Sequence, residues 1–416
     1  MSKINRREFV GLIGAGAATG IFTDETTGAD NNAGRIYETS RDDGRYVETA
    51  GALQSYLKHL NPKLAFNSQI TAPDFDSWRT SVRDKLLELM CFPDQIPVQP
   101  SPKLLWAEQR DGYELQKWEA YPEPYSVVPF LVLVPEGVSS SSPAPAVMCF
   151  PGSTSSKESL AGEPELDTGK PQAKKHWETN RQALHYVKRG FVSVAVDNPA
   201  TCELASSLQP RSSMAECMLW MGRNYLGLSV FQKASILKWL SERPIVDSNR
   251  IATSGHSLGS NPADVLGVLY PELVSAVIHN DFVCNWQERA ISSNFKPPGG
   301  QHHTVPGLFQ WFDHTDIEAA LAPCPLLFTE GGRTNQIDKI RAAYRLLGAE
   351  NNLDVYYYAN YATPAQRPFD GLELPDGISD EEYFRYANVD VGMHRFRPER
   401  AVPWLAKVFD MSPVDL

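Results

Sequence analysis

Between residue 35 and about residue 92 the apolar positions recur at intervals of three and four, the period of amphipathic helices. Leu53, Tyr56, Leu57 and Leu60 fall on one face, and Trp78, Val82, Leu86, Leu87 and Met90 on another. The segment 35–94 is therefore expected to form helices that cover the rest of the chain. Past Pro97 the pattern changes to short, nearly continuous apolar runs at 127–134, 146–150, 191–196, 251–253, 275–278, 325–328 and 355–358. Amphipathic stretches such as 177–187 and 231–240 lie between them. Strands that are apolar on both faces and separated by helices predict an α/β domain over 95–416, with a mostly parallel sheet between helical layers. In such sheets functional groups collect at the C-terminal ends of the strands. The segment 361–390, rich in Pro, Asp and Gly, reads as an excursion between the last strand and the last helix, and excursions of that length are often functional.

Composition narrows the partners. A chain of 416 residues with net charge −11 and no cluster of Lys and Arg is a poor ligand for nucleic acid or an anionic membrane surface. No apolar run reaches the eighteen or so residues of a membrane span, so no permanent span is expected. Small neutral or oligosaccharide substrates remain open, and oligomeric state is not legible. Six cysteines in so long a chain are no disulfide framework. Cys91, Cys149, Cys284 and Cys324 sit among apolar residues, as buried free thiols do, which leaves Cys202 and Cys217 as the pair able to bridge. At the start, Asn5-Arg6-Arg7-Glu8-Phe9-Val10 precedes a Gly/Ala-rich apolar stretch over 11–22, with Ala15-Gly16-Ala17 as a cleavage site. That order of charged, apolar and small residues reads as a twin-arginine export signal, with 23–34 as linker. The expected location is therefore periplasmic or extracellular.

The chemistry centres on Arg250-Ile251-Ala252-Thr253-Ser254-Gly255-His256-Ser257-Leu258-Gly259-Ser260, a strand running through Gly-x-Ser-x-Gly into a helix. The flanking glycines suit a turn too tight for Cβ atoms, and Ser257 at its apex would be an exposed nucleophile at a helix N-terminus. A serine hydroxyl needs a base. In this fold, the α/β-hydrolase fold, that histidine follows the last strand, which points to His394 before the terminal helix. His302 and His303 are rivals better suited to lining the site or capping a turn, and His256 and His279 are expected in structural positions. For the acid, Asp281 at the end of 275–278 is favoured, with Glu330 after 325–328 as the alternative. The oxyanion hole would take the backbone N–H of Leu258 and one from Phe150-Pro151-Gly152-Ser153-Thr154, assigned to Ser153. Asp197 reads as structural.

Several separated blocks carry a resemblance. The elbow with Ser257-Leu258-Gly259, Asn280-Asp281-Phe282-Val283-Cys284 with Glu288-Arg289-Ala290, Ala322-Pro323 leading into Thr329-Glu330-Gly331-Gly332, and Tyr386-Ala387-Asn388-Val389-Asp390 resemble the acetyl xylan esterase-like α/β hydrolases from about residue 75 to the end. The resemblance implies serine-dependent hydrolysis of esters on decorated sugars. It also implies an acidic residue where Thr334 stands, and this departure leaves the triad acid between Asp281 and Glu330. The leading reading is thus an exported hydrolase of acetyl or methyl esters on polysaccharide fragments. A peptidase or dienelactone-type hydrolase on the same fold is the alternative, as is a degenerate hydrolase that only binds carbohydrate. Arg223, Trp286, His303, Trp311 and Phe312 are candidate substrate contacts, each with core packing as the simpler role. No metal-ligand spacing stands out, and neither metal nor other cofactor is expected.

Overall fold

The structure, a computed structural model, describes residues 36–94, 96–166, 180–296 and 299–411. The expected export signal lies outside the described residues, as does the start of the amphipathic stretch at 177–187. Nine strands form one sheet: β1 (Lys103–Arg110), β2 (Tyr113–Ala120), β3 (Val128–Pro135), β4 (Ala144–Phe150), β5 (Val192–Val196), β6 (Val246–His256), β7 (Ala276–Asn280), β8 (Leu326–Phe328) and β9 (Leu353–Val355), in the order β1-β2-β3-β5-β4-β6-β7-β8-β9. β1, β2, β3 and β5 pair antiparallel at one edge, and every pairing from β5 through β4 to β9 is parallel. The helices are α1 (Thr49–Lys58), α2 (Ala72–Leu89), α3 (Lys157–Ala161), α4 (Gln182–Lys188), α5 (Arg211–Trp220), α6 (Tyr225–Ser241), α7 (Ser260–Leu269), α8 (Trp286–Ser292), α9 (His314–Ala319), α10 (Thr334–Leu346), α11 (Asp380–Tyr386) and α12 (Pro398–Val408).

The central strands of the sheet are buried on both faces because alternate residues enter two separate cores. Met148, Phe150, Val194, Ile251, Val277 and Phe328 face α2, α6, α7, α9 and α10, whereas Val147, Cys149, Ala195, Ala252, Ile278 and Leu327 face α3, α4 and α12. This is the three-layer α/β-hydrolase architecture expected from the apolar runs. The excursion at 361–390 carries α11 and folds back onto the ends of β7 and β8, where Tyr383, Ala387 and Val389 pack with Cys284 and Tyr358.

Several expectations need correction. The edge hairpin β1–β2 does not appear among the predicted runs, because β1 is largely solvent-exposed and lacks the two-faced apolar signature. β9 ends at Val355, short of the predicted run at 355–358, since Tyr358 leaves the sheet to bond Glu330. On α1 the buried positions are Gly51, Gln54 and Leu57, while Leu53 and Tyr56 are exposed. Gln54 turns the helix, its Nε2 donating to the Ile291 carbonyl at 2.7 Å. On α2, Trp78, Val82 and Leu86 are buried as expected and Leu87 is exposed. No disulfide joins Cys202 to Cys217, so the proposed bridge does not form, and Cys91 and Cys324 are only half-buried.

Candidate active site

At the end of β6 the chain turns through Ser257, whose φ of 52° lies in the left-handed region that a residue with a Cβ adopts only when its surroundings enforce it. The enforcement comes from backbone crowding. A Cβ on Gly255 would sit 2.1 Å from the Gly259 carbonyl oxygen, and one on Gly259 would sit 2.5 Å from that of Phe150. The Ser260 hydroxyl and the Asn280 side-chain amide each donate to the Gly255 carbonyl at 3.0 Å, fixing the strand end before the turn. The turn then feeds directly into α7.

The loop after β4 lies against this elbow, with a Cβ position on Gly152 only 3.3 Å from the Cβ of Ser257. It is restrained on several sides. Asn198 Nδ2 donates to the Pro151 carbonyl at 2.8 Å, Arg211 to the Ser153 carbonyl at 3.3 Å, and buried Asp197 accepts from the Lys157 backbone N–H at 2.6 Å and its ammonium at 2.9 Å. Asp197 is thus structural, as its sequence position suggests. A loop so held can present backbone N–H groups in fixed directions.

His394 and Ser257 line one cavity of about 200 Å³, together with Leu258, Asn261, His279, Asp281, Trp286, Arg289, His303, His314 and Glu318. The His394 Nδ1 donates to Glu330 Oε2 at 2.5 Å, while Asp281 Oδ1 is 3.8 Å away. The geometry therefore reverses the expected order of the two carboxylates. Glu330 is fully buried and also accepts from the Tyr358 hydroxyl at 2.6 Å and the Arg395 backbone N–H at 3.0 Å. Burial alone would push the His394 imidazole down, but Glu330, with Asp281 behind it, lifts it to about 9. Burial raises the Asp281 carboxyl above its usual range; His394 opposes this and Glu330 adds to it. His256 stacks on His394 with ring centroids 4.7 Å apart, which restricts the plane of the base.

Of the expected substrate contacts, Trp286 and His303 line the cavity, their rings 4.7 Å apart. Burial holds His303 well below its ordinary range and hence neutral, and its Nδ1 accepts from Asn261 at 3.2 Å. Arg223 is not brought to the cavity, because Glu123 binds it at 2.6 Å. Trp311 is also elsewhere, beneath the ammonium groups of Lys63 and Lys85, and Phe312 is core. Thr334 caps no triad; its backbone N–H donates to Asp370 at 2.9 Å. His279 does more than fill a structural position, since it lines the cavity floor and its Nδ1 lies 2.7 Å from Asp264. Sequence reading missed Arg289, Asn261, His314 and Glu318. The only local signals were Asn261 four residues past Ser257 and the one-turn spacing of His314 and Glu318. Two sets of mixed donors come within 4.8 Å of one another among the described residues: Asp281, Glu330 and His394, and Asp264, His279 and Glu318.

A strained serine at a strand-to-helix turn of a mostly parallel sheet, with a histidine from beyond the last strand, defines the chain as an α/β hydrolase. It belongs to the Abhydrolase family, whose model matches residues 30–407. The chain is 36% identical to a Bacteroides fragilis protein assigned as an acetyl xylan esterase, over 89% of this chain and 97% of that one, and the crystal structure of that protein superposes with a TM-score of 0.82. A structure of a methylesterase shares the fold at 16% identity, covering 87% of this chain and 79% of its own, with a TM-score of 0.51. No curated protein sequence matches significantly. Among the described residues, no helix is long and apolar enough to cross a membrane.

Proposed function

We propose that the chain is an exported carboxylic-ester hydrolase that removes acetyl or methyl ester groups from carbohydrate fragments. One observation carries the reading: a serine held at φ 52° shares a cavity with a histidine whose Nδ1 is bound to a buried carboxylate. In this reading Ser257 Oγ attacks the ester carbonyl carbon while His394 Nε2 takes the serine proton. The oxyanion rests on the backbone N–H groups of Leu258 and Ser153. His394 then protonates the departing alcohol, and a water molecule, deprotonated in the same way, releases the acid from Ser257. Glu330 accepts a hydrogen bond from Nδ1–H, so it selects the tautomer with Nε2 free and stabilises the imidazolium; Asp281 adds a second negative charge behind it. Trp286 offers an apolar face on which a sugar ring can stack. The carbohydrate part of the proposal is supported by the similarity to the Bacteroides fragilis protein. With Glu330 in bonding distance of His394, Thr334 no longer implies a missing acid, and a binding-only role loses its motive.

The test is p-nitrophenyl acetate hydrolysis by the wild type beside Ser257→Ala, followed by acetylated xylo-oligosaccharides, methyl uronates and a peptide panel. Ester turnover that disappears in folded Ser257→Ala is the expected result. A wild type inert towards every ester, or a Ser257→Ala variant retaining more than a trace of activity, would sink the reading.

A further inference from the structure

One set of buried donors has no part in the reaction just described. Asp264 on α7, His279 on β7 and Glu318 on α9 each place a ligand-type atom within 4.8 Å of the others. Their exposures are 2%, 5% and 2%. His279 Nδ1 is 2.7 Å from Asp264 Oδ2 and 3.9 Å from Glu318 Oε1. A second observation points to a ligand. Asp264 Oδ1 and Glu318 Oε2 are buried without any hydrogen-bond partner, and so is Nε2 of His314, which stands one helical turn before Glu318 on α9. Residues four apart on a helix share a face, the spacing by which helices present paired metal ligands. Carboxylate oxygens left unpaired in an apolar interior are unfavourable, and buried charges are normally paired or bound to metals.

We propose that Asp264, His279 and Glu318 bind a divalent transition-metal ion, zinc by preference, in the floor of the cavity, with His314, which lies outside the 4.8 Å group, turning in as the fourth ligand. Two imidazoles and two carboxylates suit zinc, which takes four ligands of this kind, whereas calcium and magnesium require six or more oxygens or retained waters. On binding, the proton shared by His279 Nδ1 and Asp264 leaves to solvent, and these two donors open from 2.7 Å towards the ~3.3 Å edge of a tetrahedral zinc site. His279, His314 and Glu318 line the cavity that also holds Ser257, which provides the entry path. The ion would link α7, which begins at the elbow, to β7, which leads to Asp281, and to α9. Its role is thus to brace the floor of the site and not to touch the scissile ester. The four ligands come from three elements, which is why no sequence motif announces them.

The test uses the full chain without an affinity tag, stripped with a chelator and titrated with zinc chloride, reading bound metal by mass spectrometry and affinity by calorimetry. The expected result is one equivalent of zinc in the wild type, with Glu318→Gln and His314→Gln each weakening binding at least about tenfold. Both variants should keep the wild-type circular dichroism spectrum in chelator, and either folded variant suffices for the comparison. Ser257→Ala and Glu330→Gln should bind as the wild type does. Cobalt substitution should give the visible absorption of a four-coordinate site. No stoichiometric binding by the wild type overturns the proposal. So does binding that survives both floor variants, or that is lost in Glu330→Gln, which would move the ion to His394.

Discussion

Replacing Glu330 by Gln removes the charge nearest His394 and leaves the volume unchanged. With an effective dielectric of about 20, a unit charge at the 2.5 Å separation of Glu330 attracts the imidazolium by about 6.6 kcal/mol, and one at the 3.8 Å of Asp281 by about 4.4 kcal/mol. The two attractions differ by about 2.2 kcal/mol, so losing Glu330 should cost about 40-fold more in rate than losing Asp281. The amide adds a tautomer penalty. Its NH₂ must face either the Arg395 N–H, itself a donor, or the site where the Tyr358 hydroxyl and His394 Nδ1 both donate. The second placement favours the imidazole tautomer that cannot accept from Ser257, and in the serine-protease triad the corresponding Asp→Asn change costs about 10⁴ in kcat. The expected fall in kcat for Glu330→Gln therefore approaches about 10⁴-fold, with KM nearly unchanged. Asp281→Asn should cost about 40-fold less than Glu330→Gln, since it removes the more distant charge. Initial rates on p-nitrophenyl acetate for both variants decide the matter. If Asp281→Asn costs more than Glu330→Gln, Asp281 is the acid and Glu330 a structural neighbour.

Because only unprotonated His394 can serve as base and its imidazole is raised to about 9, kcat/KM should rise with pH through that region and level off above it. In Glu330→Gln the inflection should fall towards the ordinary histidine value; an unmoved or rising inflection would contradict the assignment. Gly259→Ala would place a Cβ 2.5 Å from the Phe150 carbonyl oxygen and 2.8 Å from that of Pro151, so it should cost about 1–3 kcal/mol in chemical denaturation and most of the activity through displacement of the oxyanion loop. Wild-type stability in that variant would show the elbow to be less tightly packed than described. Residues 1–34 fused to a reporter should direct twin-arginine export, and Arg6→Lys with Arg7→Lys should stop it; unchanged export in the double variant would refute the signal.

How much of this was legible in the sequence depended on the range of the interactions. The parallel strands could be read from the chain because a strand covered on both faces is apolar at every position, and that signature is local. The Gly-x-Ser-x-Gly turn was legible for a similar reason: the crowding at Gly255 and Gly259 arises between residues a few positions apart or on the adjoining strand. Even so, periodicity could not orient α1, because the face it buries is chosen by Gln54 reaching Ile291, more than two hundred residues away. β1 left no mark, since an edge strand facing water needs no apolar alternation. Tertiary structure alone ordered the two carboxylates. Asp281 and Glu330 end neighbouring strands at similar heights, and a difference of little more than an ångström in their approach to His394 separates a hydrogen bond from a distant charge. The same holds for Arg223 and Trp311, polar or aromatic residues of suitable type whose local text resembles that of true cavity residues, but which Glu123, Lys63 and Lys85 engage elsewhere. It holds also for Asp264, His279, His314 and Glu318, which become neighbours only when α7, β7 and α9 pack around the elbow. Burial and local strain are written along the chain, whereas the pairing of charges depends on distances that only the packed fold sets.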